Sequence, residues 1–446
     1  MYVKLKPQYE NIDYRWHLMK IISYKNNSFR KELETLFTRQ VCPKGIEESV
    51  REIIEDVRSN GDKAVSKYLL KFDSAKLKSD RFLVSDCEIR KACGEISPDT
   101  KKAIDTAIRN VSVFSKKRIP KDWKFSPRPG VVLGEKFSPL NRIGAYIPGG
   151  TAPLISTSVH TVAIAKCAGV QEIVAVTPPN KDGEIHPALL YALSKSGATE
   201  IYRLGGVYAI AALAYGTKTI QKVDKIVGPG NAYVTTAKKI VYGDVAIDMV
   251  AGPSEIMVIA DKTCRPDFIA ADMLSQAEHG SGLEQAVLVT DSSELIGKVK
   301  NQLGLQSALL KRSSAVAKVL ANGVFFILVK NLADAAEIAN KYAPEHLEVM
   351  CAKAENIAAK INAAGAIFIG QWTPEPVGDF VAGPSHVLPT AGTAKYFSGL
   401  TVEQFFRRTS ILKYDKKSFL KELPYIAKFA EIEGLDAHGR SASIRG

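Results

Sequence analysis

The chain has 446 residues, 46% of them hydrophobic and 24% charged. That length suits roughly two to four ordinary domains, and the composition supports a full core, which excludes general disorder. A formal net charge of +13 raises nucleic acid as a partner. Yet lysine and arginine are spread along the chain beside acids, with no basic block and no aromatic-interleaved patch, so the excess reads as help in collecting an anionic ligand.

The N-terminus, Met1-Tyr-Val-Lys-Leu-Lys, lacks a signal-peptide apolar run, and no stretch approaches the roughly 20 apolar residues of a membrane span. A cytoplasmic protein is expected, with no membrane and no nucleic-acid partner. Cys42, Cys87, Cys93, Cys167, Cys264 and Cys351 form no C-x-x-C pair. Their scatter argues against a disulfide framework and a thiolate zinc site.

Residues 1–45 are polar with scattered aromatics and read as a helical arm. Val50, Ile53, Ile54, Val57, Val65 and Leu69 recur at helical spacing, with Gly61-Asp62 as a break, and residues 88–115 repeat the pattern. Pro120, Pro127 and Pro129-Gly130 lead into strand candidates at 131–133 and 143–147. From 143 to 260 short β-branched runs alternate with Ala-rich helical segments: strands at 172–177, 200–204 and 225–227, helices at 187–196, 209–215 and 232–241. The alternation resumes after 256–260 with a helix at 266–279, strands at 286–290 and 323–329, and a helix around 293–303. Strand, helix, strand at this spacing means βαβ units, so two similar α/β domains with parallel sheets are expected. From Thr401 the chain reads as helical and ends in a tail.

Four histidines travel with a carboxylate or amide: Gln276-Ala-Glu-His279, Pro344-Glu345-His346, Gly378-Asp379 followed by His386, and Asp436-Ala-His438. Gln276 and His279 share a helix face, and Gly280 is placed to end that helix. A C-terminal histidine favoured by the helix dipole is the plain alternative. Asp379 lies in a loop rich in Gly and Pro, and Glu433 and His438 straddle Gly434 where a helix stops. One Gln-His pair, one Asp and one more His make a mixed N/O site suited to Zn²⁺, with Mn²⁺ or Co²⁺ as substitutes.

Glu345-His346 offers a general base, with a solvated strand-end pair as the alternative. Neighbours in mid-strand face opposite ways, so the pair belongs at a strand's beginning, with Pro344 expected to hold Ala343 extended. Glycine-rich strand ends at Tyr146-Ile-Pro-Gly-Gly150, Leu204-Gly205-Gly206 and Gly228-Pro-Gly-Asn231 point to the ligand crevice of an α/β sheet.

Taken in this order, Arg142-Ile-Gly-Ala-Tyr146, Gly205-Gly-Val-Tyr208, Gly228-Pro-Gly-Asn231, Gly252-Pro-Ser254-Glu255, Gln276-Ala-Glu-His279, Pro344-Glu345-His346, Gly383-Pro-Ser-His386 and Leu435-Asp-Ala-His438 resemble histidinol dehydrogenase. The resemblance runs over nearly the whole chain beyond the first 40 or so residues. It implies a Rossmann-like α/β enzyme that oxidises L-histidinol to L-histidine with Zn²⁺ and NAD⁺, through the aldehyde. It implies Gln276, His279, Asp379 and His438 as metal ligands that also hold substrate, and Glu345 and His346 as the acid/base pair. Ser254, His346, His386 and Glu433 would contact substrate, and Tyr146, Tyr208 and Asn231 would line the NAD site.

A homodimer is implied whose tail crosses to complete the other subunit's site. The domains expected are an arm (1–45), a metal-carrying and catalytic domain (46–142 with 255–400), an NAD domain (143–254) and a helical tail (401–446). Tyr208 stands where the family usually has Gln, Phe380 where Tyr is frequent, and Ser385 where Asn is frequent. The segment from His160 to Ala165 lacks an expected proline. A paralogue acting on another small alcohol, such as sulfopropanediol, is the alternative. A zinc hydrolase would use the same ligands but leave the three glycine-rich strand ends unexplained.

Overall fold

The computed structural model describes residues 19–39, 45–149, 153–279 and 281–446. Most of the expected arm, Cys42, Gly150 and Gly280 lie outside the described residues. Two parallel sheets carry the fold. In the five-stranded sheet the spatial order is Glu200–Arg203, Glu172–Thr177, Arg142–Tyr146, Lys225–Val227, Ala246–Ile247. In the six-stranded sheet Lys20–Ser23 flanks Val324–Leu328, followed by Gln285–Thr290, Glu255–Ala260, His346–Met350 and Ala366–Ile369. Leaving aside the first strand, both sheets run third, second, first, fourth, fifth in chain order, which is the doubly wound arrangement. Inner strands of both sheets are buried on both faces and therefore read as continuous apolar runs, as in Ile173–Val176 and Ile256–Ala260.

The grouping of 46–142 with 255–400 is corrected by the packing. The helix Gly206–Tyr215 is almost wholly apolar, so it needs cover on its outer side as well as against its sheet. The stripe Val50, Ile53, Ile54 and Val57 of the helix Glu47–Asn60 supplies it, within one core that includes Ile210 and Leu213. The helices Asp86–Glu95 and Pro98–Lys116 likewise pack on Pro187–Ser196. Residues 47–116 thus complete the five-stranded sheet's domain. The arm and the tail are also corrected. Lys20–Ser23 is a strand paired in parallel with Phe325–Leu328. In the tail, Phe406–Tyr414 pairs antiparallel with Val131–Pro139, making a small three-stranded sheet with Trp123–Phe125.

The linker after Ile247 leaves the C-terminal edge of the five-stranded sheet and enters Glu255–Ala260 at its N-terminal end. The two edges therefore face each other across residues 248–254. Cross-links bind them: Ser385 Oγ donates to the His160 carbonyl at 2.9 Å, and Gly252 N–H donates to Thr390 Oγ1. Among the described residues, no helix is long and apolar enough to cross a membrane.

Candidate active site

The site begins with the backbone of Glu255, the first residue of the central strand. Its N–H donates to Glu345 Oε2 at 2.9 Å, and its carbonyl lies 3.0 Å from His346 Nδ1. One peptide unit on each side of a single residue therefore holds both members of the pair. This is possible because His346 is the first residue of its strand, so the pleat does not yet force Glu345 to the opposite face. Ala343 is left-handed (φ 53°, ψ 67°), not extended as expected from Pro344. It ends the helix Leu332–Tyr342, donating its N–H to the Ala339 carbonyl, and this helix-stop requirement overrides the preference of a residue before proline.

A carbonyl only accepts, so Nδ1 of a neutral His346 carries the hydrogen and Nε2 presents its lone pair. Nε2 is buried without a hydrogen-bond partner and lies 3.5 Å from Asp379 Oδ1. Burial works against a charged His346, but Glu345 and Asp379 outweigh it and hold the imidazole up at about 10; a cation held by Asp379 would offset that field and favour the neutral, proton-accepting ring. Burial pushes Glu345 up to about 8, with His346 pulling the other way. Asp379 is held well below the usual carboxylate range by His346 and His386, against the effect of its burial.

His346, Glu375 and Asp379 offer one ligand atom each, all within 4.8 Å of one another, a geometry that could hold a metal ion. Of the expected ligands, only Asp379 belongs to this triad. Gln276 is fully buried, and neither its amide oxygen nor its nitrogen has a partner. Its helix, Pro266–Ala277, is tied to the helix Glu375–Phe380 by a 2.9 Å bond from Ser275 Oγ to Glu375 Oε2. His279 lies past the helix end with Nδ1 3.2 Å from the Gln276 carbonyl, and its proximity adds to the burial that pushes His386 down. His386 Nε2 is also buried and unpartnered. Such orphaned groups are costly in a finished core, and those of His346 and His386 beside Asp379 fit a cation with nitrogen and oxygen ligands. Ser254 is half-buried, immediately before Glu255, and its carbonyl accepts from Gln285 N–H at 3.2 Å.

Glu433 and His438 are exposed, on the helices Lys416–Glu433 and Asp436–Ser443. Within one copy the structure does not bring them to the cluster. Pro424 lies inside a continuous helix and does not interrupt it.

The switch point of the five-stranded sheet lies between Arg142–Tyr146 and Lys225–Val227, where ligands of this architecture bind. Gly228 follows at φ +113°, and a Cβ there would lie 2.2 Å from the Tyr146 carbonyl oxygen, so only glycine lets the two strand ends meet. Asp248 accepts from Gly228 N–H at 2.7 Å and pairs with the buried Lys238. Asn231 caps the following helix by accepting from Tyr233 and Val234 N–H, each at 3.1 Å. Its side chain is exposed, which leaves the amide nitrogen outward. Tyr146 is buried, its hydroxyl accepting from Gly206 N–H at 3.2 Å. Tyr208 is fully buried; its hydroxyl donates to Asp73 and accepts from Gly205 N–H at 3.1 Å. It therefore braces the Gly205-Gly206 turn from below.

Three carboxylates behind the site escaped the sequence reading. Asp272, Glu348 and Glu375 are buried; burial pushes Asp272 up to about 6, Glu375 up to about 8 and Glu348 well above its ordinary value. Glu348 was legible as a lone charge in the run His346-Leu-Glu-Val-Met350, and Glu375 as a carboxylate between two prolines, Pro374 and Pro376.

The family model described as histidinol dehydrogenase matches residues 38–446. A histidinol dehydrogenase of Carboxydothermus hydrogenoformans is 44% identical over 413 residues, 93% of this chain and 97% of that protein. One from Bacillus subtilis is 45% identical, covering 92% and 96%. The crystal structure of histidinol dehydrogenase from Elizabethkingia anophelis superposes with a TM-score of 0.90 at 38% identity, covering 96% of this chain and 98% of that one.

Proposed function

The chain belongs to the histidinol dehydrogenase family, NAD-dependent oxidoreductases of histidine biosynthesis, and we propose that it oxidises L-histidinol to L-histidine in two hydride transfers with Zn²⁺ at the orphaned cluster. The observation that carries this reading is the meeting of Glu345, His346 and Asp379, with the unpartnered His386 acting on Asp379 and the buried, unpartnered Gln276 next in sequence to the Ser275 that bonds Glu375. Gln276, His279 and Asp379 would hold the metal together with the partner's His438. When bound, the ion would orient the substrate's imidazole and amino nitrogens and polarise its oxygen.

His346 Nε2 takes the hydroxyl proton as hydride leaves the carbinol carbon for NAD⁺, and passes that proton on to solvent. Glu345 then takes a proton from the water that adds to the aldehyde. His346 deprotonates the resulting hydrate as the second hydride departs. Ser254 and His386 would contact the substrate, joined by the partner's Glu433, while Tyr146 and Asn231 would line the cofactor crevice above the turn that Tyr208 braces. Purified, zinc-loaded protein should reduce NAD⁺ with L-histidinol and stay inactive with sulfopropanediol. Turnover of the diol alone would favour the paralogue reading.

The homodimer is proposed from the tail. Tyr425, Phe429, Ile432 and Ile444 are between 66% and 72% exposed, an apolar face that one copy leaves uncovered. Docked on a second copy, it would carry His438 to the other site. His346→Ala and His438→Ala proteins, each inactive alone, should regain about a quarter of wild-type activity after subunit exchange, because random pairing gives mixed dimers with one intact site. Zero activity despite demonstrated exchange would show that His438 serves its own subunit.

A further inference from the structure

His160 is a residue that neither the motif nor the mechanism uses. It sits in a π-helical turn, Val159–Ala163, at full burial, and neither ring nitrogen has a hydrogen-bond partner. Single π turns inside helices occur often at functional sites. The ring lies under the 381–386 loop that follows the helix Glu375–Phe380, stacked on His386 with centroids 4.6 Å apart and planes 19° apart. The carbonyls of Phe380 and Pro384 lie beside it, outside hydrogen-bond geometry, and Asp379 acts on its charge. The backbone makes a second clasp: the His160 carbonyl accepts the Ser385 hydroxyl at 2.9 Å, and Ser385 Oγ accepts from Val387 N–H at 3.1 Å. Side chain and main chain of one residue thus grip two consecutive residues of the substrate loop, across the cleft between the sheets.

A packing role alone does not account for an imidazole here. Burying two unpartnered ring nitrogens is unfavourable, and an apolar side chain of similar size would avoid that cost. Burial, with His386 adding to it, pushes His160 down to about 3, so the ring is neutral, with one N–H donor and one acceptor free. We infer that His160 is a further substrate-binding residue, stacked on His386 and offering a ring nitrogen to the polar groups of the amino alcohol that fills the cluster. This rests on the histidinol reading of the same site.

His160→Phe keeps an aromatic ring on His386 and removes both nitrogens. The variant should retain its zinc and its KM for NAD⁺, with an unfolding midpoint no lower than that of the wild type. Its Kd for L-histidinol, measured by calorimetry without NAD⁺, should rise about tenfold, and KM for histidinol should rise with it. If Phe does not fold at this position, the slimmer His160→Met carries the same comparison. An unchanged histidinol Kd in a folded, zinc-replete variant would overturn the inference. Failure of the wild type to bind histidinol would instead overturn the substrate reading; the Kd comparison would then be made with the alcohol that the wild type does oxidise, and an unchanged value would again overturn a role for His160.

Discussion

Asp379→Ala protein should leave purification without zinc and without activity. Asp379 is the one expected ligand that the structure places within reach of His346 and Glu375. Loss of hydrogen bonds around a metal's ligands typically costs 10–100-fold in affinity, so loss of a ligand itself should cost more than about 100-fold. The fold should survive, because the cores on the two faces of the six-stranded sheet contain no part of the cluster; melting should fall only by the stabilisation that bound metal adds. His279→Ala should behave the same way. Glu375→Gln decides between ligand sets: it should keep its zinc if Gln276, His279, Asp379 and His438 hold the ion, and lose it if the His346–Glu375–Asp379 triad does. Metal analysis of the three variants reads this out, and a full zinc complement in the Asp379 and His279 variants would refute the assignment.

The second large effect is on chemistry alone. His346→Ala should lower kcat by about 10²–10⁴, the range for a positioned general base, with zinc content retained. Glu345→Gln should spare the first hydride transfer more than the second, because its role is to activate water after the aldehyde forms. Single-turnover traces should then show one fast NADH and a slow second one. Equal slowing of both transfers would place Glu345 in a positioning role, through its bond to Glu255 N–H.

How much of this was legible in the sequence depends on the distance over which the relevant forces act. The βαβ rhythm from Glu172 to Val241 was plain, because strand and helix periods are local properties of burial. The helices of residues 47–116 were equally plain as helices. Their sheet was not, since an apolar stripe says that it is covered and not by what. Phe406–Tyr414 was hidden because its side chains are mostly exposed and polar, so its strand character comes from pairing with Val131–Pro139. The helix Lys416–Glu433 runs on through Pro424, although proline inside a helix removes a backbone hydrogen bond.

At the site, Glu345-His346 could be found because the two are adjacent, and Gln276-His279 because they share a turn. The approach of His346 to Asp379, and of His160 to His386, spans separate elements and became visible only in three dimensions. His160 was noticed merely for the proline missing after it. Glu375 and Glu348 were passed over because a carboxylate is ordinarily solvated, and only their burial reveals them as neighbours of the site.

The central claim is that one site carries histidinol through two oxidations before releasing product. The direct measurement is NADH formed per L-histidinol consumed, run to completion with zinc-loaded protein and excess NAD⁺. The account predicts a ratio of about two, since each hydride taken from the carbinol carbon reduces one nicotinamide. A ratio near one, with aldehyde accumulating in solution, would contradict it.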